Sequence, residues 1–301
     1  MAEQKRFERL KEGDPLVEEL ASGKYPWWNT IVALSHTDKD INIQVRGSYL
    51  NVYFKMGNLL KVGMDGRKVI CQTHYKYLVG ALDDVYVDLK TESDHLSVKG
   101  PCPLVTSLLE GKNFRLVKQN ISTYAGEEKQ IQSRLVEKNK DTLLDAEISF
   151  SDYEDLTNTE DGNTRIDLAN CDKNRDVLVF VELKQIFDTR LYSGEINKQI
   201  AKYVAFAEKH QEHLVEAYNN VIQVKRALNV ISEVSYLASV NIQEVEPRPI
   251  LVIAGYDQDI INAKKQKIID NLETSNLSGL YFFGTDVDLN FKSGKNKDIF
   301  I

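Results

Sequence analysis

Cysteine is scarce in this chain: Cys71, Cys102 and Cys171 are widely scattered and form no CxxC pair. They suggest neither a disulfide framework nor a thiolate zinc site, and a reducing compartment fits them. No stretch of about 18 apolar residues occurs, the length a membrane-spanning helix needs. The opening MAEQKRFERLKEGD is charged where a secretory leader would carry an apolar run. The expectation is a soluble, cytoplasmic protein with no membrane partner. A Gly-rich phosphate loop, a GxSxG elbow and an HExxH helix are also missing, which removes the main competing enzyme classes. Positive charge is short too. A formal net charge of -7 counts against a protein that coats nucleic acid, because phosphate neutralisation needs clustered Lys and Arg. It leaves room for an enzyme whose site gathers carboxylates around a metal and whose local basic strip guides a backbone.

What is present is an ordinary globular composition, 42% hydrophobic and 28% charged over 301 residues, enough for one large domain or two smaller ones. After a polar, helical opening and the aromatic segment Tyr25-Pro26-Trp27-Trp28, short strand-like runs separated by Gly and Asp predict a small antiparallel sheet, with MGN and MDGR as turns. GPCPLVTSLLEGKN then punctuates the chain. The expected division is a β-rich domain over 1–118 and a second domain over 119–301.

From Ser122 onward the periodicity predicts helix, three strands, a long helix and a further strand. GEEKQIQSRLVEKN puts Glu128, Ile131, Gln132, Leu135 and Val136 on one helical face, which should lie against a core. TLLDAEISFS and TRIDLANC read as strands joined by the turn-rich DLTNTEDGN, and CDKNRD turns into DVLVFVELKQIF, β-branched and apolar as a central strand should be. A helix from about Gly194 to beyond Arg226 precedes the strand RPILVIAGYD, and LYFFGTDVDL reads as one more strand. The tail FKSGKNKDIF is expected to be an ordered or frayed end. The fold class is thus mixed α/β (α+β), with an αβββαβ order in the second part.

The chemistry sits on the apolar strand. Alternation brings Glu182 and Lys184 out on one face, two residues apart, with Val181 and Leu183 on the other. An isolated ExK is most often a salt pair at the solvated end of a strand. Asp167 changes the weighing, since it lies fifteen residues before Glu182 across one tight turn and can pair alongside it. Taken singly, Asp167 could simply balance Arg165 at a hairpin edge, but that does not explain three charged groups meeting where apolar strands pack. Magnesium prefers oxygen ligands and keeps several waters, so Asp167, Glu182 and the backbone carbonyl of Leu183 form a credible partial shell. Lys184 would orient or help deprotonate an attacking water and steady developing negative charge. Gln199 and Tyr203, one turn apart, fall in the stripe Ile196, Ile200, Val204 and Ala207 that should face the sheet, and a polar amide there needs a partner.

The order helix with Glu, then Asp, then ExK, then a helix with QxxxY resembles the PD-(D/E)xK nuclease superfamily, in particular its RecB-like branch. TRIDLANCDKNRDVLVFVELK followed by EINKQIAKYVAFAEKH looks like the catalytic domain of the NucS/EndoMS mismatch endonucleases. The match covers roughly residues 122 to 255. The naming proline is absent, since Ile166 precedes Asp167. The resemblance implies a restriction-endonuclease-like αβββαβ core, dependence on Mg2+ or Mn2+, and DNA as the substrate. It puts metal carboxylates at Asp167 and Glu182, the catalytic lysine at Lys184, and a QxxxY pair at Gln199 and Tyr203 beside the metal. Glu127, Glu128 and Glu137 compete for the first-helix acid. Glu128 is chosen for its shared apolar face, with a helix-dipole acid as the bland alternative.

Other features carry less. His210 and His213 read as a solvated face, Lys198, Lys202 and Lys209 as solubilising or phosphate-contacting lysines, and Trp27, Trp28, Tyr49, Tyr53, Tyr75 and Tyr77 as sheet core before base-stacking platforms. Two functions remain in view. One is a DNA nuclease in restriction, repair or phage defence, its N-terminal sheet selecting substrate or forming a homodimer. The other is a module that keeps the nuclease fold and binds nucleic acid or protein without turnover. A degenerate member would normally lack a metal carboxylate or the lysine, and here all are present.

Overall fold

The computed structural model describes residues 7–79, 86–91, 96–98, 108–109, 111–149, 165–255 and 257–284. The loop DLTNTEDGN, the tail FKSGKNKDIF and most of GPCPLVTSLLEGKN lie outside them. Contacts divide the chain into two compact units, one of Glu8–Ser133 with Asn220–Ala238 and the other of Met1–Phe7, Arg134–Asn219 and Ser239–Ile301.

The first unit begins with α1 (Pro15–Ala21) and α2 (Pro26–Thr37), each started by a proline at its first helical position, where the missing N–H costs nothing. Six antiparallel strands follow in simple meander order: β1 (Ile41–Val45), β2 (Leu50–Phe54), β3 (Gly57–Asp65), β4 (Lys68–His74), β5 (Tyr86–Thr91) and β6 (Leu96–Val98). The short α3 (Tyr75–Val79) lies between β4 and β5, and α4 (Gly111–Tyr124) comes after the sheet. Residue 118, near which the sequence suggests a break, is inside α4. Trp27, Trp28, Tyr53 and Tyr77 are buried, as aromatics of a small core should be. Gln44, fully buried, accepts from Lys225 Nζ at 3.0 Å, which ties the late segment 220–238 to the first sheet.

The second unit takes up the chain within α5 (Glu127–Lys138) and runs through β7 (Leu143–Ser149), β8 (Arg165–Asp172), β9 (Val177–Gln185), α6 (Arg190–Ser193), α7 (Glu195–Lys209), the start of α8 (Gln211–Ala227), β10 (Glu244–Ala254), α9 (Gln258–Ile269) and β11 (Gly279–Phe283). The expected αβββαβ order is therefore present, in a mixed α+β fold. The strand order is β11-β10-β9-β8-β7, antiparallel from β7 to β9 and parallel from β9 to β11. Parallel neighbours need a long crossover, and the helices between β9 and β10 supply it. Gly194, with φ +77, sits between α6 and α7 in the left-handed region that lets one helix end and the next begin.

Two features depart from expectation. The long helix is two helices, since α7 ends at Lys209 and His210 leaves the helical region at φ -121 before α8 starts. The two keep similar apolar periodicity, so the break leaves no mark in the pattern. The face predicted for α5 holds only from Ile131 onward: Ile131, Gln132, Leu135 and Val136 are buried, while Glu128 is exposed in the first turn. Among the described residues no helix is long and apolar enough to cross a membrane.

Candidate active site

β9 is the best-buried strand of its sheet, with every residue from Val177 to Lys184 buried. Glu182 and Lys184 share its face with Ile186, and their parallel partners on β10 are Leu251 and Ile253. Those apolar residues join Ile196 and Ile200 of α7 and Ile261 of α9 in one core cluster, so the two charged side chains emerge beside a dry helix–sheet interface.

β8 and β9 stay paired from Asp172↔Val177 to Leu168↔Val181. Continuing that register by one residue sets Asp167 opposite Glu182 on the same face. There the strands part. The Leu183 N–H, which loses a strand carbonyl at the opening, donates instead to Asp167 Oδ2 at 2.7 Å. The Arg165 carbonyl accepts from the Tyr203 hydroxyl at 2.8 Å. Side chains thus satisfy the backbone where the ladder stops, which keeps the opening from being a defect.

Glu182 is 1% exposed, and its carboxylate is held from three sides. Lys184 Nζ and Gln199 Nε2 (2.8 Å) donate to Oε1, and Tyr203 OH lies 3.0 Å from Oε2. Gln199 spends its second amide hydrogen on the Tyr203 oxygen at 2.7 Å. The single Tyr203 hydrogen has two acceptors in reach, Arg165 O and Glu182 Oε2. A carboxylate offers about four acceptor positions, so at least one of Glu182's remains open. Lys184 Nζ also donates to Leu183 O at 3.2 Å, and its third hydrogen has no acceptor among the described residues.

Burial by itself would pull the Lys184 ammonium down, but the charges of Glu182 and Asp167 outweigh it and hold its pKa above the ordinary 10.5. Lys184 thus stands beside Glu182 as a charged donor. Burial raises the Tyr203 phenol well above 10.0, and the Glu182 charge adds to it. Both groups keep their protons to higher pH when folded, so their stabilisation is complete below the unfolded values near 10 and is lost as pH climbs through the folded ones. Thermal melts should be flat in this respect between about pH 7 and 9 and fall at more alkaline pH, with a shallower fall in Tyr203→Phe. An equal alkaline slope in both proteins would contradict this assignment.

The expected residues are brought together in part. Asp167, Glu182, Leu183, Lys184, Gln199 and Tyr203 converge as described. Glu128 belongs to the other unit, and the shared buried face that singled it out is absent, because its turn of α5 is exposed. Its first-turn position fits the helix-dipole role. His210 is buried and packs with Phe7, at 5.0 Å between ring centroids, and with Phe206, so it is no solvated face.

Sequence reasoning passed over Glu147. The pairs Ala146↔Leu168 and Ile148↔Ile166 set it opposite Asp167, so Glu147, Asp167 and Glu182 form a row across three strands. Glu147 has φ +55, costly for a residue with a Cβ, and its Oε2 lies 3.6 Å from Arg165 Nη1. The available signal was the pair of acids Asp145 and Glu147, two apart in an otherwise apolar strand.

Among the described residues no three His, Cys, Asp or Glu side chains converge as a metal cluster. The oxygens that do converge suit a hard cation that keeps part of its water: the carboxylates of Asp167 and Glu182 and the Leu183 carbonyl. An ammonium already bridges two of them. Gln199 Oε1, buried and lacking a hydrogen-bond partner among the described residues, is a further acceptor beside them. The donor set fits magnesium or manganese.

Comparison with protein-family models, with curated proteins and with solved structures finds no match to this chain.

Proposed function

We propose that this chain is a metal-dependent nuclease of the PD-(D/E)xK type that hydrolyses DNA phosphodiester bonds, acting in the cytoplasm. The observation that carries the proposal is the opening between β8 and β9, where Asp167 stands opposite Glu182 and Lys184 follows two residues on. Asp167, Glu182 and the Leu183 carbonyl would hold Mg2+ or Mn2+. When bound, the ion supplies a more acidic water and neutralises charge on the phosphoryl oxygens.

The chain's own groups do the rest. Lys184, kept as an ammonium by Glu182 and Asp167, offers its remaining hydrogen to a phosphoryl oxygen as that oxygen gains charge. Gln199 and Tyr203 clamp Glu182 so that it cannot swing to a neighbouring cation. In the overall step water oxygen bonds to phosphorus, the bond from phosphorus to the leaving deoxyribose oxygen breaks, and the proton shed by water balances the one taken up by the leaving group.

Two measurements test the proposal. Of linear, circular and single-stranded DNA incubated with the protein in magnesium or manganese, at least one should be cleaved. Calorimetric titration with magnesium should show saturable binding that Glu182→Gln weakens at least about tenfold, the usual effect of disturbing a ligand or its immediate support. No saturable binding even with DNA present would favour a non-catalytic binding module.

A further inference from the structure

We infer that the surface beside the proposed site, built from Phe187 and the lysines of α9, binds single-stranded DNA by stacking an unpaired base on Phe187. The inference rests on the nuclease reading and narrows its substrate class.

Phe187 lies two residues beyond the end of β9 and three past Lys184, so at most about 11 Å of extended chain separates the Cα atoms of Phe187 and Lys184. Its side chain is 59% exposed in a strand-end segment whose neighbours Ile186 and Leu191 are buried in the core cluster. A lone exposed apolar residue means little, but this one has company. Lys264 Nζ lies 5.2 Å from the centroid of the Phe187 ring and 5.2 Å from that of Tyr192. Lys267 Nζ lies 5.7 Å from the Tyr192 ring, and Lys265 Nζ 5.4 Å from that of Phe282. None of these three lysines has a carboxylate partner among the described residues, although the whole chain carries a net charge of -7. Local positive charge on an acidic protein, interleaved with aromatic rings, is the pattern that tracks a phosphate backbone while bases stack.

The surface is also electrostatically continuous with the site. Arg190 chelates Asp188 through Nε (2.9 Å) and Nη2 (2.6 Å), and the pair lies close enough that Arg190 is felt at Lys184 and Lys184 at Asp188. Because Asp188 neutralises Arg190, the lysines and the Phe187 ring are left as the binding elements. In a duplex both faces of each base are covered by its neighbours, so an exposed phenyl ring has nothing to stack on. In a single strand or a frayed end it has. The competing account is that Lys267 merely complements the dipole at the end of α9 and the others solubilise it, in which case Phe187 should not matter.

Fluorescence anisotropy with a labelled mixed-sequence 20-mer, single-stranded or annealed to its complement, separates the two accounts. Run in EDTA, it reads binding without cleavage. Wild type should bind the single strand more tightly than the duplex. Phe187→Ala should weaken single-strand binding about ten- to one-hundredfold and leave duplex binding unchanged, while Phe187→Trp restores or strengthens it. Lys264→Gln with Lys267→Gln should weaken both and flatten the salt dependence. The inference is overturned if Phe187→Ala binds the single strand like wild type, if it loses both substrates equally, or if wild type prefers the duplex or binds neither. Cleavage lost in Asp167→Asn alongside an inert Phe187→Ala removes this inference alone. Phe187-dependent binding without any metal-dependent cleavage removes the nuclease reading instead.

Discussion

Asp167→Asn should lower the rate of magnesium-dependent DNA cleavage by about two to three orders of magnitude while leaving the melting temperature close to wild type. Asp167 has two jobs that this substitution separates. Its Oδ2 accepts the Leu183 N–H where β8 and β9 part, and an asparagine oxygen can still do that. Its negative charge stands opposite Glu182 and contributes to holding Lys184 protonated, and asparagine cannot replace it. If the charge matters only to the fold, the variant melts early and cleaves in proportion to what stays folded. If it serves the chemistry, a folded protein fails to cleave. Initial rates on linear DNA, set beside circular-dichroism melts of the same samples, distinguish these outcomes. Unimpaired cleavage in a folded Asp167→Asn protein removes Asp167 from the site.

Lys184→Ala should be damaged in both respects. Glu182 is 1% exposed and Lys184 4%, so removing the lysine strands a buried carboxylate. Breaking a buried pair from one side typically costs about 3–5 kcal/mol. Gln199 continues to donate to Glu182, and the Tyr203 hydroxyl stays within reach of it, which favours the lower end of that range. The double variant Glu182→Gln with Lys184→Met removes both charges at nearly constant volume and should recover most of the stability, since buried pairs can be replaced by neutral groups at little cost. It should recover no cleavage. Urea denaturation of wild type, Lys184→Ala and the double variant, with activity measured on each, is the check. A double variant no more stable than Lys184→Ala would mean that the pair is not the reason for the loss.

The central parts of this arrangement were legible in the sequence because they are local. The β-branched run around Val177–Gln185 could hardly be anything but an interior strand, and alternation along it set Glu182 and Lys184 on one face. The stripe that includes Ile196, Ile200 and Ala207 placed Gln199 and Tyr203 toward the sheet by helical spacing alone. What stayed hidden depends on distant pairing. Glu147 meets Asp167 only through the register of β7 on β8, which no period in either strand reveals. Lys225 and Gln44 are 181 residues apart in the chain, so the return of 220–238 to the first unit has no local signature. The exposure of Glu128 escaped the sequence for a different reason. Spacing describes which residues share a helix face, but not how many turns of that face find a partner.

The two prolines in β10 have a consequence for how much change the site can absorb. Pro247 and Pro249 lack the N–H that a central strand must give, and the pairing with β9 shifts register between Glu246 and Ile250. The ladder is therefore two separately indexed stretches, one beside Val177–Val179 and one beside Val181–Gln185. A slip of one residue along an unbroken ladder would carry an acid and an amine to the wrong side of the sheet. Here a gain or loss of a residue in the near stretch of β10 can be taken up at the bulge, so drift in chain length at one end need not be transmitted to the other.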